Sequence, residues 1–325
     1  MIKKFSLLLS ALLLLGGALA QTLTVYSGRN EAFVGPVIAA FEQETGVEVE
    51  VRYGGTAQLA AQILEEGRNS PADVFLAQDA GALGALEEAE LFATLDEGIL
   101  DLVEPRFRSD SGAWVGVTGR ARVLVGSPDA QDVPSSVFEL VDEQYSGRLG
   151  WAPTNASFQA FVTAMRVRYG NELTREWLRG MIVNEVNVYP NNTSIVDAVG
   201  RGEIDYGLVN HYYLFRFLAE DPNFPAQNYF LEDADIGGLV NVAGAGVLAT
   251  SDNRELAGRF VEYLLGEDAQ RHFSDEVSEY PLAQGIEARS ELPSLDELET
   301  PNVDLSDLAD LEGTLELLQE TGALE

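Results

Sequence analysis

Apolar residues along this chain recur in two alternating rhythms. Residues 23–27 alternate as a strand that ends at Gly28, residues 33–45 carry the spacing of an amphipathic helix stopped by Gly46, and residues 47–51 alternate again. Gly54-Gly55-Thr56 leads into a helix through Glu66 closed by Gly67, and the run Ala72-Asp73-Val74-Phe75-Leu76 predicts a third, buried strand. Strand, helix, strand, helix, strand with short connections predicts a parallel sheet covered by helices. The same rhythm returns at 148–151, 157–169, 186–189, 194–201 and 206–209, predicting a second α/β lobe.

Two longer apolar stretches containing glycine, residues 114–125 and 239–249, fall between these blocks. They read as hinge strands, so that the chain visits one lobe, then the other, then returns, with a ligand held in the cleft at the strand carboxyl ends. The expected bounds are 21–121 for the first lobe, 122–242 for the second and 243–290 for the return, with 291–325 a helical segment packing on the second lobe. Gly244-Ala245-Gly246 is not a dinucleotide loop, because the third glycine and the following helix are missing.

Composition narrows the chemistry. Residues 1–20 carry Lys3 and Lys4, an apolar run and Ala18-Leu19-Ala20, the pattern of a secretory signal cleaved after Ala20, which predicts an exported, periplasmic protein. No later stretch is long and apolar enough to span a bilayer. There is no cysteine and there are only two histidines, which removes thiolate chemistry and a poly-histidine zinc site and leaves oxygen ligands for any metal. The net charge of −33 disfavours nucleic acid and anionic membrane as partners. A hydrolase would need a nucleophile and a base, and no Gly-x-Ser-x-Gly elbow is present; a carboxylate-dependent hydrolase is the remote alternative.

The candidate chemistry centres on Tyr212-Tyr213, two adjacent phenols where the strand 206–209 hands over to a helix. A phenol, with a pKa of about 10, ligates at neutral pH only if a highly charged cation such as Fe(III) displaces its proton. Asn210 is the expected helix cap, which puts both phenols in a first helical turn where the dipole favours negative oxygen. The pair can equally open an aromatic helix and simply pack. Three other strand-to-helix turns carry polar sets: Arg29 and Asn30, Gln78 and Asp79, and Asn155-Ala156-Ser157; with Asn192 they are expected to share one cleft with the tyrosines.

At this point the chain resembles the periplasmic ferric-ion-binding proteins, solute-binding components of bacterial iron ABC importers. The likeness covers nearly the whole chain after the signal. It is carried by Val25-Tyr26-Ser27-Gly28-Arg29, Pro71-Ala72-Asp73-Val74-Phe75, Gly119-Arg120-Ala121-Arg122-Val123, Tyr145-Ser146-Gly147-Arg148-Leu149-Gly150, Asn210-His211-Tyr212-Tyr213 and Glu279-Tyr280-Pro281-Leu282. The resemblance implies a two-lobed α/β fold of the type II periplasmic-binding-protein class, with two parallel-core sheets joined by hinge strands, and no enzymatic activity. It implies Fe(III) held by Tyr212 and Tyr213 with a synergistic anion, carbonate or phosphate, in a pocket of Arg29, Asn155, Ala156, Ser157, Asn192 and Asn210. Delivery to an ABC permease in the inner membrane by a monomer follows from the same likeness. Where relatives carry a histidine and a glutamate from the first lobe, this chain has Asn30 and Gln78, which implies either that Asp79 substitutes or that the anion takes more of the sites, with Arg29 offsetting its charge. The alternative in the same class is an oxyanion or a small organic solute such as thiamine, because fold does not fix ligand.

Overall fold

The computed structural model describes residues 22–324; the signal sequence and its cleavage after Ala20 lie outside them. Along the chain the elements are β1 (Thr22–Ser27), α1 (Glu31–Thr45), β2 (Glu48–Tyr53), α2 (Thr56–Glu66), β3 (Val74–Ala77), α3 (Ala80–Glu88) and α4 (Glu97–Leu100). There follow β4 (Val115–Gly126), β5 (Leu149–Trp151), α5 (Ala156–Val183), β6 (Asn187–Val188), α6 (Asn192–Gly200), β7 (Tyr206–Asn210) and α7 (Tyr212–Glu220). The chain closes with β8 (Gln227–Tyr229), β9 (Val240–Val247), α8 (Arg254–Leu264), α9 (Glu267–Asp275), β10 (Tyr280–Pro281) and α10 (Leu311–Thr321).

The strands run in the order β2-β1-β3-β9-β4-β7-β5-β6, with β8 and β10 paired to β4. In β2-β1-β3 and in β7-β5-β6 neighbouring strands are parallel, as the two strand-helix alternations predict. Helices cover both faces, so β3 reads Val-Phe-Leu-Ala with every residue buried. The outermost strands β2 and β6 instead expose Glu, Arg and Asn, which blunts the sheet edges.

Strand β4 is the joint between the lobes. Its residues 115–121 pair with β9, which also pairs with β3, whereas residues 122–126 pair with β7 of the second lobe. The partners therefore switch between Ala121 and Arg122. The chain crosses back just before Val240, because Val240, Asn241 and Val242 already pair with Ala121, Arg120 and Gly119. The C-terminal segment touches both lobes: the turn Leu305–Ala309 lies on α3 and α10 lies on α5.

Two local expectations change. The helix ending at Tyr169 does stop there, because Gly170 has φ 83° and ψ 165°, but a second arm resumes at once and carries α5 to Val183. Asn210 is not a helix cap: it closes β7, paired with Arg122, and α7 starts after His211, which makes no side-chain cap.

Candidate metal centre

The turn from β7 to α7 fixes the tyrosines. Tyr212 is 4% exposed and Tyr213 half-buried, and their rings stack with centroids 4.3 Å apart at an interplanar angle of 26°. The phenols are held by their neighbours. His211 is fully buried; its Nδ1 accepts from the Ala121 N–H at 3.1 Å, and its Nε2–H donates to the Ser278 carbonyl at 2.8 Å. Both ring nitrogens are thus engaged, and burial pulls the imidazole pKa down to about 4. His211 is a neutral strut between the lobes. The Tyr212 phenol is pushed well above its ordinary pKa, first by burial, then by Tyr213 and Glu279, against the opposing charge of Arg120.

Two arginines of β4 flank the pair, and neither was singled out as a site residue from sequence. Arg122 is 2% exposed; its Nη1 donates to Asn210 Oδ1 at 3.4 Å, and its guanidinium lies 4.9 Å and 5.5 Å from the ring centroids of Phe161 and Phe158 at the start of α5. Its Nε and Nη2 are buried without a partner. Burial lowers its pKa to about 9, partly offset by the nearby Tyr213. Two donors of this cation therefore have no acceptor among the described residues. Arg120, 1% exposed, serves the first lobe, donating to the carbonyls of Gln78 and, at 3.2 Å, Val242.

The expected anion turn is assembled around the N-terminus of α5. Asn155 Oδ1 accepts from the Ser157 N–H at 3.0 Å, from Ser157 Oγ at 2.6 Å and from Asn192 Nδ2 at 3.3 Å. Ala156 is the first residue of α5, and Asn192, 1% exposed, also reaches Ser157 Oγ at 3.4 Å. Arg122 joins this helix start to Asn210 and the tyrosines. Arg29, expected here, is occupied elsewhere: it pairs with buried Glu279 at 2.7 Å, which also accepts from Thr118 Oγ1 at 2.6 Å. Burial alone would raise the Glu279 pKa, yet Arg29 and Arg120 hold it below the usual carboxylate range.

The first-lobe candidates Arg29, Asn30, Gln78 and Asp79 line a cavity of about 790 Å³ between the lobes, with Ala156 of α5 on its wall, whereas Tyr212, Tyr213 and Arg122 are not among its lining. Asn30 is exposed and caps α1 through the Ala32 N–H at 2.9 Å. Asp79 caps α3 through the Ala82 N–H at 3.3 Å, and burial raises its pKa against the pull of Arg120. Gln78 is half-buried and its backbone is held by Thr56 and Arg120. Among the described residues no hydrogen bond joins these three side chains to either phenol, and no group of three or more His, Cys, Asp or Glu is placed to hold a metal ion.

Residues 23–276 match the model of the bacterial extracellular solute-binding proteins. The chain is 34% identical to the Fe(3+)-binding periplasmic protein of Serratia marcescens, over 98% of this chain and 97% of that protein. The chain belongs to the bacterial periplasmic ferric-iron-binding proteins. A second relative, the major ferric iron-binding protein of Neisseria meningitidis serogroup B, is 33% identical over 98% of each chain. The crystal structure of iron-bound HitA from Pseudomonas aeruginosa superposes with a TM-score of 0.86 at 36% identity, covering 93% of this chain and 99% of that one. The two-lobed α/β fold expected from the sequence is the fold of these ferric-binding relatives.

Proposed function

We propose that this protein captures Fe(III) on Tyr212 and Tyr213, with a synergistic oxyanion, carbonate or phosphate, and delivers it as a periplasmic monomer to an ABC permease of the inner membrane. The observation that carries the reading is the stacked phenol pair beside Arg122, whose Nε and Nη2 are buried and unmatched. An oxyanion there would take those donors and the Ala156 N–H at the α5 start, and would in turn ligate the metal. Asn155, Ser157, Asn192 and Asn210 shape that pocket, and Arg122 rather than Arg29 supplies its charge. The two phenolates and the anion offset the ferric charge, and Asp79 is the one carboxylate among the first-lobe residues picked out from sequence, ahead of Gln78 and Asn30. No enzymatic step is assigned. One observation favours a second reading: the interlobe cavity of about 790 Å³ is lined by several Ala and Gly residues and by neither tyrosine, and suits a small organic solute.

Ferric citrate added to the purified protein at neutral pH tests both. A visible iron-phenolate band that disappears in the Tyr212→Phe, Tyr213→Phe double variant supports the iron reading; a colourless protein with affinity unchanged in that variant rejects it. Omitting bicarbonate and phosphate in turn identifies the anion.

A further inference from the structure

The lobes are joined a third time, by the C-terminal segment. The turn Leu305–Ala309 lies so close to α3 of the first lobe that a Cβ on Gly81 would sit 2.6 Å from the Leu308 carbonyl oxygen, and one on Gly84 2.5 Å from that of Ser306. Ser306 Oγ also donates to Glu87 on α3 at 3.2 Å. Immediately afterwards α10 fastens to α5 of the second lobe, where the buried hydroxyls of Thr163 and Thr314 meet at 2.7 Å and Arg175 reaches Glu320 at 3.0 Å. Asp310 stands between the two anchors, and Leu308, Ala309 and Leu311 on either side of it wall the interlobe cavity.

One side chain reaches Asp310 from α5. Arg166 of α5, 10% exposed, donates to Asp310 Oδ2 at 2.8 Å, to the Asp310 carbonyl at 3.0 Å and to Thr314 Oγ1 at 2.8 Å. Its guanidinium rests on bare backbone: a Cβ on Gly313 would fall 2.6 Å from Arg166 Nη2. Leu305–Ala309 packs chiefly on α3 and also on α5, Arg168 Nη1 donates to the Asn302 carbonyl at 3.1 Å, and α10 is fixed to α5, so a motion that parts α3 from α5 loads Asp310 and the bonds of Arg166 along with these ties. We propose that Arg166, acting through Asp310, is a positioning residue that sets the width of the interlobe cleft and, with it, how long bound cargo stays. The width belongs to the protein alone; only the residence of iron rests on the function proposed above.

The absence of cysteine makes the test direct. Glu48→Cys on β2 and Val188→Cys on β6 place spin labels at the two ends of the strand order. In iron-free protein, Arg166→Gln shifts the label distances to longer values with a broader spread. Gly313→Ala, which keeps the charge but crowds both the guanidinium and the Asp310 carboxylate, moves them the same way, and Arg166→Lys partly restores them. In the ferric protein Arg166→Gln releases iron to a chelator about three- to tenfold faster, the scale of a few partly exposed hydrogen bonds, with the phenolate band unmoved. Label distances identical to those of the parent, alongside a lowered melting temperature, would make Arg166 a mere structural brace and overturn the proposal. Should the parent protein form no phenolate band, the iron reading falls while the distance measurement still judges the latch.

Discussion

Arg122→Met removes the buried cation of β4 and keeps an unbranched apolar side chain in its place, which separates a role in folding from a role in anion binding. The folded protein lowers the Arg122 pKa from 12.5 to about 9. At about 1.4 kcal/mol per unit, that shift is a destabilisation of about 5 kcal/mol. For a base with a depressed folded pKa the penalty is fully present below pH 9, where both states are protonated, and is relieved as pH rises from 9 towards 12.5. Stacking on Phe158 and Phe161 and the bond to Asn210 return about 2 kcal/mol of it. In anion-free buffer at neutral pH the Met variant is therefore expected to unfold at higher denaturant, by about 2–4 kcal/mol. Phosphate or bicarbonate should stabilise the parent by mass action and leave the variant unmoved, and iron affinity should fall at least about tenfold. Urea titrations of both proteins, with and without each anion, read all of this. A variant less stable than the parent in anion-free buffer that still gains as much from the anion would refute the reasoning.

Because both phenols must shed a proton to ligate, apparent iron affinity should rise by about two decades per pH unit near neutrality, and by about one in Tyr212→Phe; chelator competition across pH 6–8, corrected for chelator protonation, measures the slope. The iron-free protein should lose about 3 kcal/mol as pH falls from 6.5 to 4, because the unfolded chain protonates His211 at 6.5 and the folded one only at about 4; the pH profile of His211→Asn, compared with the parent by denaturant melts, should lack that component. The sequence has lysine only at positions 3 and 4, so cleavage after Ala20 would leave at most the N-terminal amine to react; a mature protein that takes up two or more amine-reactive labels by intact mass would show a retained leader.

What could be read before the structure was whatever is local or periodic. The alternation in residues 23–76 and 148–209 yields both parallel cores, and the apolar lengths of 114–125 and 239–249 yield the crossings, because strand and helix periods are intrinsic to the backbone. Tyr212 and Tyr213 stood out as a rare pair in a recognisable turn. What stayed hidden depends on tertiary contact. Asn30 and Asp79 carry the signature of helix caps, and in the fold they act as caps, while Arg29, expected in the anion pocket, pairs with Glu279, which is distant in sequence. Arg120 and Arg122 did leave a trace: two cations one residue apart in an otherwise apolar strand must share a face and be buried together, an arrangement that calls for partners. The C-terminal joint left almost none, since Asp310 and Gly313 gain meaning only beside Arg166.

Strand β4 carries Arg120 towards Gln78 and Val242 of one lobe and Arg122 towards Asn210 and α5 of the other, with only Ala121 between them. Since successive residues of a strand point to opposite faces, adding or deleting a single residue here would send one guanidinium to the wrong side of the sheet. This stretch should thus accept an exchange of side chains more readily than a change of length, its apolar positions free to interchange among Val, Ile and Leu while the spacing of Arg120 and Arg122 is kept.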